Sequence, residues 1–109
     1  MLLFRFSEEE KAVFNAVQSG DLEKLKVLLK TREDKNSVVY VSKRETGFSV
    51  LDIAAYFGHV NITKWYQETL HLDDINPLNS IGTMTPMIYA AREGKLNVVK
   101  YYIEALQGG

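Results

Sequence analysis

The stretch Thr85–Ile103, TPMIYAAREGKLNVVKYYI, constrains the fold more than any other part of the chain. Thr85 offers a hydroxyl that can accept a hydrogen bond from the first turn of a helix, and Pro86 brings a φ already set for the first helical position. The pattern predicts a short helix over 86–93 with Met87, Ala90 and Ala91 on its packed side, the paired alanines allowing another helix to approach closely. Gly94 permits the left-handed turn that ends such a helix. Leu96, Val99, Tyr102, Ile103 and Leu106 then recur at three- and four-residue spacing, the stripe of a second amphipathic helix over 96–106. The unit is a tight helix–turn–helix, and it recurs. In Ser49–Tyr66, SVLDIAAYFGHVNITKWY, Ala54-Ala55 and Gly58-His59 fall on Ala90-Ala91 and Gly94-Lys95 at an offset of 36 residues. A fainter copy runs from Phe14 to Leu29, its Gly20 standing 38 residues ahead of Gly58. Three copies with periods in the thirties indicate a repeat architecture.

From the N-terminus, the apolar lead Met1–Phe6 is expected to pack on the first unit or on a missing neighbour. Ser7 and Glu10 have the spacing of a capping box, and Glu8, Glu9 and Glu10 suit the positive end of a helix over 8–18. Ser7 precedes its turn glycine by 13 residues where Ser49 and Thr85 precede theirs by nine, so the first helix is about one turn longer. A second helix over 22–30 turns Leu22, Leu25, Leu28 and Leu29 inward, and Lys24 stands where later copies have Ile62 and Val98, as a solvent-facing end unit requires. The charge run Thr31–Asn36 reads as a solvated loop. Val38–Val41 is the best strand candidate and, with 42–47, predicts a hairpin finger. Helices follow over 50–57 and 60–69, with Trp65 and Tyr66 as packing residues, and Pro77 keeps the next connector from being helical. Val98, Tyr101, Tyr102, Ile103 and Leu106 form an apolar C-terminal edge, which predicts further repeats or self-association there.

These residues resemble the ankyrin repeat family, whose pattern is roughly G-x-TPLHxAAxxGHxxVVxxLL. Gly47, Ser49, Leu51, Ala54-Ala55, Gly58-His59 and Ile62 match it in the middle copy, and Thr85-Pro86, Ala90-Ala91, Gly94 and Val98-Val99 in the last. Ile75-Asn76 is similar to the V-N that opens the family's β-hairpin finger. A tetratricopeptide array has a similar period, but its Trp/Leu/Gly/Tyr spacing is missing and it has no Thr-Pro helix start. The chain departs from the family where the TPLH histidine is replaced by Asp52 and by Ile88. Ser49 and Asp52 have capping-box spacing instead, and Gly82–Thr85 carries one residue more than the family's G-x-T. The resemblance implies an all-α fold: a solenoid of three stacked helix–turn–helix units with short β-hairpin fingers. Residues 1–109 would be a single domain, with repeats at about 7–41, 42–75 and 76–107.

With 13 basic and 14 acidic residues the net charge is −1, which gives no electrostatic case for nucleic acid or membrane surfaces. No apolar run approaches the ~20 residues that span a bilayer, so no membrane insertion is expected, and the N-terminal lead does not read as a signal peptide. The lack of cysteine excludes disulfides and thiolate metal sites and is compatible with an intracellular, cytoplasmic setting. His59 and His71 lie twelve apart without metal-site spacing, and Asp73-Asp74 lacks the alternating ligands of a calcium loop. Ser49 and Ser80 stand in no nucleophile motif, and Asn61-Ile62-Thr63, a glycosylation acceptor by pattern, falls inside a predicted helix. No catalytic residue, metal or cofactor is expected. The resemblance implies a module or scaffold that binds a partner protein through a concave groove lined by fingers and first helices. Carried over position by position, it assigns Gln18, with Asn15 and Ser19, from the first unit. Ile53, Tyr56 and Phe57, with Arg44, Glu45, Thr46 and Phe48 on the finger, come from the second. Tyr89, Arg92 and Glu93, with Ser80, Ile81 and Thr83, come from the third. The alternative is a targeting or regulatory domain of a larger enzyme, such as a bacterial effector acting in host cytoplasm, with catalysis encoded elsewhere.

Overall fold

The computed structural model describes residues 7–42, 46–79 and 81–107; the lead 1–6 and the finger residues Arg44, Glu45 and Ser80 lie outside them. Among the described residues the chain is mostly helical, with six helices and one two-stranded sheet. They are α1 (Glu8–Ser19), α2 (Leu22–Leu29), β1 (Val38–Val41), β2 (Gly47–Ser49), α3 (Val50–Phe57), α4 (Val60–Glu68), α5 (Pro86–Arg92) and α6 (Leu96–Gln107).

The inner helices are each started by a side chain the local sequence supplies. Ser7 Oγ accepts from Glu10 N–H, Ser49 Oγ from Asp52 N–H and Thr85 Oγ1 from Ile88 N–H, at 3.0, 3.3 and 3.2 Å. The first two are reciprocal capping boxes. α1 has 12 residues and α3 eight, the extra turn that the Ser7 spacing predicts. Each inner helix then reaches a glycine in the left-handed region, with φ of 74° at Gly20, 81° at Gly58 and 70° at Gly94. The chain turns there and sends back an outer helix.

α1 packs on α2 and α3, α3 on α4 and α5, and α5 on α6, so the helix pairs succeed one another along a row of inner helices. A continuous core of Val13, Val17, Leu25, Leu29, Val39, Leu51, Ile53, Ile62, Tyr66, Val98 and Tyr102 runs through the seams. Burying a Val or Leu side chain contributes about 1.5–3 kcal/mol, so the seams are strongly coupled. β1 and β2 pair antiparallel, with Val41 opposite Gly47, Tyr40 opposite Phe48 and an irregularity between Val38 and Tyr40.

The sequence expectations need correction in several places. Thr31–Asn36 is solvated at Thr31, Glu33 and Asp34 but is also a joint: Lys35 Nζ donates to the Leu29 and Arg32 carbonyls at 2.8 and 2.6 Å, and Asn36 Oδ1 accepts from Leu51 N–H at 2.7 Å. Among its described residues the connector before α5 forms no strands. It closes instead through Asn79 N–H to the Met84 carbonyl at 2.8 Å and through the Asn79 side chain. Ala91 and Leu96 are exposed where their helices were expected to pack, Leu96 by 75%. In the expected C-terminal apolar edge, Val98 and Tyr102 are instead fully buried against the preceding unit, while Ile103 and Leu106 stay exposed.

Candidate functional site

Counting back from each turn glycine places the candidate residues in rows. Gln18, Tyr56 and Arg92 stand two before it, Ser19, Phe57 and Glu93 one before, and Asn15, Ile53 and Tyr89 five before. On a helix these positions lie opposite the Val13/Ala16/Val17-type face that packs, so three inner helices standing side by side present them together.

The middle row meets the hairpin. Phe14, Tyr40, Ser42, Phe48, Ile53, Tyr56 and Phe57 line one open cavity of about 300 Å³ between the hairpin and the inner helices. The rings form an unbroken chain of contacts. Phe14 stacks on Tyr40 with centroids 5.2 Å apart, Tyr40 meets Phe48 at 5.6 Å, Phe48 meets Tyr89 at 5.2 Å, and Tyr89 meets Tyr56 at 6.4 Å. Tyr56 meets Phe57 edge-on at 5.0 Å. Offset and edge-to-face pairs of this kind fix ring orientation and contribute about 0.5–1.5 kcal/mol each beyond area burial.

Burial separates the roles open to these side chains. Tyr56 is 37% exposed, Phe57 and Phe48 are half-buried, Ile53 is 2% exposed and forms the floor, and Tyr89 is only 7% exposed. Tyr89 thus sits in the seam between the second and third helix pairs, propping Phe48 and Tyr56 from behind. Burial pushes its phenol pKa up, against a hydrogen bond with the Asn79 side chain. Arg92 and Glu93 are exposed and do not line the cavity; Arg92 Nη1 lies 3.9 Å from Met84 Sδ. The Gln18 side chain is exposed, and its carbonyl stands 2.6 Å from His59 Nε2, which donates to it in the tautomer protonated there. Phe14, Tyr40 and Ser42 were not among the sequence candidates. Only Tyr40 had a sequence signal: in β1 Val39 turns into the core and its neighbour Tyr40 therefore faces the other way.

A second cavity of about 290 Å³ lies between the hairpin and the connector before α5, lined mostly by polar residues including Asp34, Asn36, Ser49, Asp52 and Asn79. Asp52 is 3% exposed. Its Oδ2 accepts Ser49 N–H at 3.0 Å, while Oδ1 has no hydrogen-bond partner among the described residues. Burial holds the carboxyl above its ordinary pKa, and the two bonds with Ser49 pull it partly back.

Among the described residues no cluster of three His, Asp or Glu side chains could hold a metal ion, and no helix is long and apolar enough to cross a membrane.

The two later outer helices, α4 and α6, are tied to the unit before them in the same way. Asn61 Nδ2 donates to the Gly20 carbonyl at 3.2 Å and Asn97 Nδ2 to the Gly58 carbonyl at 3.0 Å. The buried hydroxyls of Tyr66 and Tyr102 donate to the carbonyls of Lys35 and Ile75, each just before a connector asparagine. Those asparagines, Asn36 and Asn76, accept from the N–H of the second residue of the next inner helix, Leu51 at 2.7 Å and Met87 at 2.9 Å.

No curated protein matches the chain. A family model described as ankyrin repeats (many copies) matches residues 13–65, the span from α1 into α4. That match covers most of the first two helix pairs, and the third repeats their caps, turn glycine and cross-unit bonds: the chain is similar to ankyrin-repeat proteins.

Proposed function

We propose that residues 7–107 form one three-unit ankyrin solenoid that binds a partner protein in its concave groove, with no catalysis of its own. Ankyrin repeats are in general protein–protein interaction modules. The observation that carries the proposal for this chain is the aromatic cavity between hairpin and inner helices. A groove that had only to be wettable would not collect Phe14, Tyr40, Phe48, Tyr56 and Phe57 around one open hollow. Its volume suits one large apolar side chain of a partner. The rings that would receive it already hold one another in place, so little side-chain entropy remains to be lost on binding. The exposed Gln18, Arg92 and Glu93 flank the cavity along the groove and supply a polar rim that orients the partner.

Differential affinity capture tests this. The chain and its Tyr56→Ala variant would be immobilised at equal folded concentration, and bound proteins quantified by mass spectrometry. A partner recovered on the parent should be depleted at least tenfold on Tyr56→Ala, since aromatic hot spots are typically worth about 2 kcal/mol or more. Equal recovery on both would place binding elsewhere on the molecule.

A further inference from the structure

The three units offer three copies of one seam at successive stages of completion. Two positions face the preceding unit. Four residues past the turn glycine stand Lys24, exposed, then Ile62 and Val98, both 0% exposed; eight past it stand Leu28, half-buried, then Tyr66 and Tyr102, both 0%. Three other positions face the following unit. Three residues before the glycine, Val17 and Ala55 are 0% exposed but Ala91 is open. Five past it, Leu25 and Thr63 are 0% exposed but Val99 is half-buried; nine past it, Leu29 is 0%, Gln67 half-buried and Ile103 43% exposed. The turn glycines agree. A Cβ on Gly20 would meet the His59 ring at 2.7 Å and one on Gly58 would meet Lys95 at 3.0 Å, whereas one on Gly94 meets nothing within 4 Å. The Gly20 and Gly58 carbonyls each receive an asparagine amide from the next unit, and no described side chain donates to the Gly94 carbonyl.

We infer that the face formed by Ala91, Val99, Ile103 and the Gly94 carbonyl is a docking surface for one further helix pair of the same pattern. Its inner helix would seat on Ala91, and an asparagine three residues past its turn glycine would donate to the Gly94 carbonyl. The occupant is not a second copy stacked head to tail. The leading unit of such a copy would bring Glu23 where Asn61 and Asn97 stand and Leu28 where Tyr66 and Tyr102 stand, so neither donor is there. A carboxylate set against the Gly94 carbonyl would repel it.

The experiment adds to the full chain a second copy of residues 72–107 directly after Gln107, which keeps the 36-residue register of the last repeat. If the face is a seam, the added unit folds and the melting temperature rises by roughly 5–10 °C, since each repeat adds its own stability and a neighbour interface. Ala91→Arg should abolish that rise in the extended protein while shifting the unextended chain by less than about 2 °C, because Ala91 is exposed there. Changing the added copy's Asn97 equivalent to Ala should remove part of the rise. The inference is overturned by an added unit that stays unstructured, or by a rise that Ala91→Arg leaves intact. It is equally overturned if sedimentation finds the unextended chain dimeric and Ala91→Arg returns it to monomer.

Discussion

Asn36 shows at the scale of one residue how a joint can hide in a charge run. Its side-chain oxygen accepts the Leu51 N–H, one of the orphan donors at the start of α3, while Ser49 takes the Asp52 N–H beside it. Asn36→Ala should cost about 1 kcal/mol in urea denaturation, the usual loss on deleting a helix cap; no loss would make the contact incidental. The caps at Ser7, Ser49 and Thr85 were legible because donor and acceptor lie three residues apart. Asn36 was not, because its partner is fifteen residues on and the intervening hairpin brings them together. Asp52 is the second residue with a measurable signature. Burial raises its folded pKa above the unfolded value, so the folded state favours the protonated carboxyl. Its contribution to stability is then present at low pH and is lost as pH rises through the folded pKa. Relative to the parent, Asp52→Asn should therefore gain stability as pH rises above the ordinary aspartate range, from about pH 4 upward. A relative loss over that range would mean that the bonds with Ser49 outweigh desolvation.

At the scale of elements, the turn between inner and outer helix does two jobs, and two glycines separate them. Gly20 and Gly94 both hold the left-handed conformation, but only Gly20 lies under the next unit, with the His59 ring against it. Gly94→Ala should lose about 1–2 kcal/mol from the backbone term alone. Gly20→Ala should lose at least about 1 kcal/mol more, because the new methyl displaces His59 from the Gln18 carbonyl. Matched urea curves measure the difference, and equal losses would show that the His59 contact carries no weight. Helix boundaries were readable to within a residue or two because caps, glycines and apolar spacing all act within one turn. The second finger has no strands among its described residues because a single main-chain bond, from Asn79 N–H to the Met84 carbonyl, and the Asn79 side chain close the Asn79–Met84 loop in place of a strand ladder. Sequence periodicity does not distinguish the two.

For the whole molecule, an apolar position tells which residues pack but not against what. Tyr102 and Val98 looked like an open edge, yet they bury against the preceding unit, and the true open face is shifted to Ala91, Val99 and Ile103. The candidate groove was legible in its rows, since Ile53, Tyr56, Phe57 and Phe48 do come together. It was not legible in its depth: Tyr89 sits behind the cavity, and Phe14 and Tyr40 complete it, because only the folded hairpin sets their distance from α3. This division has a consequence for mutants. Tyr89→Ala removes a buried ring and should cost about 3 kcal/mol or more of stability, whereas Tyr56→Ala, at 37% exposure and with two ring pairs to lose, should cost about 1–2 kcal/mol. The most direct measurement is isothermal titration of the captured partner into parent and Tyr56→Ala protein, with thermal melts of both. Binding through the aromatic groove requires at least a tenfold loss of affinity for Tyr56→Ala while its melt shows the variant still folded at the titration temperature. Unchanged affinity in a folded Tyr56→Ala protein would contradict it.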